Sequence, residues 1–285
     1  MKASVSVVIL TFNEEKNIRD CIESILDFTD DIFVVDSGST DKTLEILSEY
    51  PVQILYNPFE NYSQQRNWSI ETINFKTDWI LNLDADHRAT EEFKAEVKKL
   101  LLNGIPPNIN GILTSRRTMF MGKWIKYGGH YPTYHAVMFR LGKGKCENKL
   151  YDQHFLVEGD TIKVKGDIID MITESLSTFT LRHDKWSNLE AIQQFENNIP
   201  KKGVIKANVI GNPIQKRRFY KNIYEKFPLF VRPFIYFFIR YFLKLGFLDG
   251  KRGLIFHFLQ CFWFRFLIDA KIYELKKNVT KSIDN

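Results

Sequence analysis

The fold of this chain is decided by Asp78-Trp79-Ile80-Leu81-Asn82-Leu83-Asp84-Ala85-Asp86-His87. An apolar run of strand length stops at two carboxylates one residue apart. If residues 79–83 form a buried strand, Asp84 and Asp86 arrive at its C-terminal end, where open α/β sheets bind ligands. Paired carboxylates there suit a hard divalent cation that bridges substrate phosphates. The same residues serve equally well as caps for a helix expected after Ala89-Thr90-Glu91-Glu92, so this segment alone leaves both readings open.

The neighbouring segments carry the same organisation. Residues 5–12 read as a buried strand, and Asn13-Glu14-Glu15 signals a helix start before Ile18, Cys21, Ile22, Ile25 and Leu26 at helical spacing. A second strand, 32–35, ends in Asp36-Ser37-Gly38-Ser39-Thr40-Asp41, and a helix to about Tyr50 follows. Residues 52–56 read as a third strand and 62–73 as a helix. Strands alternating with helices predict βαβ units, a mostly parallel sheet and an α/β fold. Turn chemistry and helix capping explain Asp36 and Asp41 unaided. Polar groups at three strand ends are harder to explain by caps. No glycine-rich cradle follows the first strand, which argues against a dinucleotide-binding domain and a P-loop. A cleft of carboxylates then needs a metal and a basic residue to hold phosphates, and Arg66 is the basic candidate.

Four motifs in order make the resemblance specific: Ser6-Val-Val-Ile-Leu-Thr-Phe-Asn-Glu-Glu-Lys-Asn-Ile18, Val34-Val-Asp-Ser-Gly-Ser-Thr-Asp-Lys-Thr43, Gln65-Arg66-Asn67 and Leu83-Asp84-Ala85-Asp86. Together they resemble a family 2 glycosyltransferase. The resemblance implies the GT-A fold, a nucleotide-diphospho-sugar donor (UDP-sugar foremost) and Mn²⁺ or Mg²⁺. It places Thr11, Asn13 and Glu14 in the nucleotide pocket and Asp36, with Ser39 nearby, on the base or ribose. Arg66 would touch the base or diphosphate, Asp84 the ribose or metal, and Asp86 the metal. His87 departs from the acidic residue often found there and is read as a neighbour, not a ligand.

Beyond residue 104 the pattern is less regular. Segments 111–115 and 136–140 look like strands around a Gly-, Tyr- and Trp-rich loop, which serves equally as an acceptor wall or as ordinary packing. His130 and His135 are read as structural. Inverting transfer needs a carboxylate to take the acceptor's hydroxyl proton. The family places that base downstream of the metal aspartates, and Asp152 matches best, with Glu147 and Glu158 as competitors. His183, expected to follow a strand, stands where the family can supply a further metal ligand. Leu189 to Asn198 reads as a helix.

Charge divides the chain. From Lys201 onward 18 Lys+Arg face 5 Asp+Glu, against 22 and 29 in residues 1–200, and the same C-terminal part holds 13 of the 24 Phe. Basic and aromatic together fit an anionic membrane surface, and no nucleic-acid motif accompanies them. The longest charge-free stretch of this C-terminal part, 253–264, is short of the roughly 20 apolar residues of a spanning helix. Amphipathic interfacial helices are therefore expected, with packing on the catalytic domain or on a second subunit as the competing reading. The expected domains are a catalytic 1–212 and a helical 213–285. Three widely spaced cysteines show no disulfide or zinc framework, and no signal peptide is expected at the N-terminus.

The tail resembles that of a bacterial subgroup building lipopolysaccharide core or other surface polysaccharide. The expected activity is metal-dependent, inverting transfer to a lipid-linked glycan at the cytoplasmic membrane face. A polyprenyl-phosphate acceptor is the enzymatic alternative, and a non-catalytic nucleotide-sugar-binding scaffold is the alternative of another class.

Overall fold

The computed structural model describes residues 2–172, 175–196 and 203–283. The elements run β1 (Ser6–Thr11), α1 (Ile18–Glu23), β2 (Asp31–Asp36), α2 (Thr43–Leu47), β3 (Gln53–Tyr56), α3 (Tyr62–Thr72), β4 (Trp79–Asp84), β5 (His87–Ala89) and α4 (Glu91–Asn103). They continue with β6 (Ile109–Phe120), β7 (Lys123–Trp124), β8 (Tyr134–Arg140), β9 (Gly144–Cys146), β10 (Phe155–Val157), β11 (Asp160–Met171) and α5 (Leu176–Phe195). The C-terminal helices are α6 (Pro213–Glu225), α7 (Arg232–Phe238), α8 (Gly250–His257) and α9 (Phe264–Ile283).

Two compact units emerge. The first comprises 1–117, 134–148 and 153–171; the second comprises 118–133, 149–152 and 172–285. The expected division at residue 212 falls inside the second unit. Helix α5 belongs with the C-terminal helices because Ala191 buries itself with Phe264, Ile268 and Ile272 of α9.

In the first unit the sheet order is β3-β2-β1-β4-β8-β6-β11-β5. Strands β3, β2, β1 and β4 are parallel, and β8 joins β4 antiparallel. Alternation along β1 explains the two cores, since successive side chains point to opposite faces. Val7 and Ile9 pack with Ile18, Cys21 and Ile22 of α1 and Phe93 and Val97 of α4. Val8 and Leu10 pack with Phe33, Val35 and Ile80, and Tyr62 and Trp68 of α3 lie against them. Each fully buried aliphatic side chain stabilises by about 1.5–3 kcal/mol.

The register then sets the site. Leu10 pairs with Val35 on one side and Asp84 on the other, and Thr11 pairs with Asp36. Parallel strands in this register bring Thr11, Asp36 and Asp84 to one edge of the sheet.

In the second unit, His183 lies within α5, the helix that follows β11. Ser175 caps α5 by accepting from Thr178 N–H, and Phe179, His183, Ser187 and Glu190 recur along its buried side. The helix expected from Leu189 is the end of α5, and residues 197–198 lie outside the described residues. Helices α8 and α9 join through a π-helical turn, Phe258–Trp263. The continuous helical run 246–279 is long and apolar enough, by length and composition alone, to cross a membrane. Counting charge-free residues missed this, because Arg265 ends the stretch while the helix runs on past it; Asp269, further along, is fully buried against Arg232 at 2.5 Å.

Candidate functional site

The opening alternative is resolved by Thr90. Its hydroxyl accepts from Phe93 N–H at 3.2 Å and caps α4, while β5 separates that helix from Asp84 and Asp86. The two aspartates are free of the capping task.

Arg66 has a different role from the one expected. Its guanidinium is 1% exposed, and Nη2 donates to Leu83 O and to Asp84 Oδ1, each at 2.5 Å. Nη1 reaches Val8 O at 3.4 Å, and Nε donates to Tyr62 Oη at 3.2 Å. The Tyr62 hydroxyl donates in turn to Asp84 Oδ1 at 3.0 Å. A side chain so enclosed positions Asp84 and has no face left for a diphosphate. Burial would raise the Asp84 carboxyl, but Arg66, His87 and Arg116 outweigh it and hold it well below the usual carboxylate range.

His87 is buried and accepts from Asp84 N–H at Nδ1, 3.0 Å. That bond places the imidazole proton on Nε2, which lies 3.6 Å from Asp84 Oδ2 and 4.0 Å from Asp86 Oδ1. Burial, helped by Arg116, lowers His87 to about 3, so the ring is neutral. Ligand atoms of Asp84, Asp86 and His87 all lie within 4.8 Å of one another. With the Nδ1 lone pair committed and Nε2 protonated, the donor set is oxygen alone. Two carboxylates and no nitrogen fit a hard divalent cation.

The loops after β1 and β2 are clasped together. Asn13 N–H donates to Ser39 Oγ at 2.9 Å, and Asn13 Oδ1 accepts from Thr40 N–H at 2.8 Å. Asn13 holds this position with φ 54°, a left-handed conformation that Asn tolerates. Glu14 N–H donates to Thr43 Oγ1 at 2.8 Å. Asp36 accepts from Gly38 N–H, Ser39 N–H and Ser39 Oγ–H, so it organises its own turn as well as ending β2. The Thr11 hydroxyl is buried without a hydrogen-bond partner among the described residues, an orphan of the kind a ligand or water satisfies.

Arg116, on β6, escaped the sequence reading. It is 23% exposed and its Nη1 lies 3.7 Å from Asp170 Oδ2; its Nε has no partner among the described residues, and its charge acts on Asp84, His87 and Tyr62. The Arg116-Arg117 pair in a strand was the available signal.

Residues 6–145 match the family model described as glycosyl transferase family 2. Residues 6–145 are a glycosyltransferase family 2 domain. Over 96% of its length the chain is 26% identical to the lipopolysaccharide core biosynthesis glycosyltransferase LpsC of Rhizobium meliloti, of which it covers 93%. An uncharacterised glycosyltransferase of Rickettsia bellii is 38% identical over 94 residues, 33% of this chain and 31% of that protein. Among solved structures, the mannosyltransferase PcManGT of Pyrobaculum calidifontis, in complex with GDP-Man and Mn²⁺, superposes with a TM-score of 0.55 at 12% identity, covering 96% of this chain and 88% of that one. The fold of the family 2 domain is thus GT-A.

The remaining expected residues divide between the two units. Asp152, in the second unit, has φ 56° and pairs with Lys221 at 3.0 Å and Arg218 at 3.6 Å. Glu147, in the first unit, is fully buried and accepts from His154 N–H at 2.9 Å, whereas Glu158 is exposed beside Lys143. His183 is corrected as a metal ligand: Nδ1 is 2.8 Å from Phe179 O and Nε2 is 2.7 Å from Gln260 Oε1, leaving neither nitrogen for a cation.

Proposed function

We propose that this glycosyltransferase moves a sugar from a nucleotide-diphospho-sugar, UDP-sugar foremost, to a lipopolysaccharide-type or other lipid-linked glycan at the cytoplasmic face of the membrane. The observation that carries the reading is the Asp84–Asp86 oxygen pair at the strand ends, with Arg66 and His87 fixing Asp84. Asp86, and the Asp84 oxygen that Arg66 does not hold, are the residues that would bind Mn²⁺ or Mg²⁺; bound there, the cation would neutralise charge on the departing nucleoside diphosphate. Arg116 adds a fixed positive charge on the same side, the task first expected of Arg66. The clasped Asn13–Ser39 loops and the orphan Thr11 hydroxyl support a nucleotide pocket beside it.

Asp152 is the proposed base for the acceptor hydroxyl, on the strength of the family motif. An acceptor that is already an anion, such as polyprenyl phosphate, needs no base, so transfer surviving Asp152→Asn would favour that acceptor. The membrane reading is supported by Phe234, Phe238 and Phe242, each about half exposed at four-residue spacing on one helical face, in a part of the chain rich in Lys and Arg.

The test is transfer from a panel of radiolabelled nucleotide-sugars to truncated lipopolysaccharide with Mn²⁺. Product formed by the wild type and lost in a folded Asp86→Ala variant is the expected result. Nucleotide binding with no turnover on any lipid-linked acceptor would favour the scaffold reading instead.

A further inference from the structure

The second unit buries a cluster that glycosyl transfer does not use. Cys261 Sγ lies 3.8 Å from His130 Nε2 and 3.8 Å from His257 Nδ1, and the ligand atoms of all three residues fall within 4.8 Å of one another. A tetrahedral zinc ion, with bonds of about 2.3 Å to sulfur and about 2.0–2.1 Å to nitrogen, spaces such atoms roughly 3.5 Å apart. The two sulfur–nitrogen distances are therefore within a few tenths of an ångström of those in a ligand set.

Each residue is held in place by backbone. His257 closes α8 and Cys261 lies one turn on in the π-helical segment, a form that recurs at functional sites. His130 belongs to a loop fastened beforehand: Asp249 accepts from Lys126 N–H and Tyr127 N–H at 3.3 and 3.0 Å, and Gly128 N–H donates to Lys244 O at 2.8 Å. The His257 ring is fully buried in a slot lined by Gly128 and Gly246, where a Cβ at either position would collide with it.

The chemistry of the cluster is unlike that of His183. Among the described residues, the only polar contact of His257 is the Cys261 sulfur, and its Nε2 has no partner. Its imidazole is thus held by no oxygen or amide. Burial, with Arg240 beside both rings, drives His130 well below its usual range and His257 to about 4. The neutral imidazole is the form that ligates metals. Two imidazoles and a thiol suit zinc-class cations and reject Mg²⁺.

We propose that His130, His257 and Cys261 bind one zinc-class divalent cation, fastening the loop of His130 to the helical run of His257 and Cys261. On binding, the Cys261 S–H loses its proton to solvent, and the thiolate and two nitrogen lone pairs ligate the ion. The thiolate charge offsets the cation beside Arg240.

Cobalt titration of the full chain, purified without chelator, tests this. The wild type should take up Co²⁺ with a thiolate-to-metal charge-transfer band, which Zn²⁺ abolishes by displacement. The band should persist in Asp86→Ala and vanish in Cys261→Ser. Mass spectrometry of the purified wild type should find bound zinc that Cys261→Ser lacks. A wild type that gives no thiolate band at saturating Co²⁺ overturns the proposal, whatever the fate of the variant. Glycosyl transfer enters neither readout, so this result stands apart from the test of the carboxylate site.

Discussion

One nitrogen of Arg66, Nη2, donates at 2.5 Å both to the Leu83 carbonyl and to the Asp84 carboxylate. The buried guanidinium thereby fixes the end of β4 and the acidic side chain that leaves it as a single rigid piece. Replacing Arg66 with Met should lower stability by about 3–5 kcal/mol, because a largely enclosed carboxylate loses its partner. Arg66→Lys should recover only part, since an ammonium cannot serve Leu83, Val8 and Asp84 in one plane. Urea midpoints measure both. An Arg66→Met midpoint equal to wild type would sink the assignment.

Arg116 should behave differently. Its substitution by Gln removes a partly exposed charge from the site while keeping amide donors, so the urea midpoint should move by less than about 1 kcal/mol in equivalent stability. Turnover should fall by at least about tenfold, the effect of losing one favourable charge contact in the transition state. Unchanged kcat and KM for the nucleotide-sugar would remove Arg116 from the machinery.

His87 sets a pH dependence whose sign is opposite to that of a paired histidine. Its folded value, about 3, lies below the ordinary value of 6.5. Above the ordinary value the ring is neutral in both states and pH has no effect through it. As pH falls below 6.5 the unfolded chain takes up a proton that the folded chain refuses. Stability then declines by up to about 1.4 kcal/mol per pH unit until the folded value is reached. His183 and His257, both lowered to about 4 chiefly by burial, add to the decline. In His87→Asn the amide oxygen can still accept from Asp84 N–H, and the slope of stability between about pH 6.5 and pH 4.5 should be shallower. Equal slopes in the two proteins would refute the assignment.

The exposed aromatic row has a direct readout. Full-length protein should float with vesicles containing anionic lipid and remain behind with purely zwitterionic ones. The triple change Phe234→Ser, Phe238→Ser and Phe242→Ser should lose most of the floating fraction, each ring contributing about 1.5–3 kcal/mol when buried. Flotation indifferent to these three residues would exclude this face as the membrane contact.

The first ninety residues were legible because local periodicity and motif order agree there. β1 through β4 follow from apolar runs, and Thr11, Asp36 and Asp84 share an edge as parallel pairing requires. Arg66 was misassigned because its partners, Val8 O and Leu83 O, are backbone atoms that no motif displays. His183 was misread as a ligand because its partners, Phe179 O and Gln260 Oε1, are set by the packing of α5 and by a residue far along the chain. Arg116 and the His130–Cys261 contact join residues far apart in sequence, and nothing local announces them.

The clasp between Asn13 and the Ser39-Thr40 turn has a thermodynamic consequence. Two loops tied by reciprocal bonds lose their conformational entropy when the chain folds, before any donor arrives. Binding of the proposed nucleotide-sugar donor then need not meet that ordering cost, which leaves more of the affinity available at the strand ends for holding it.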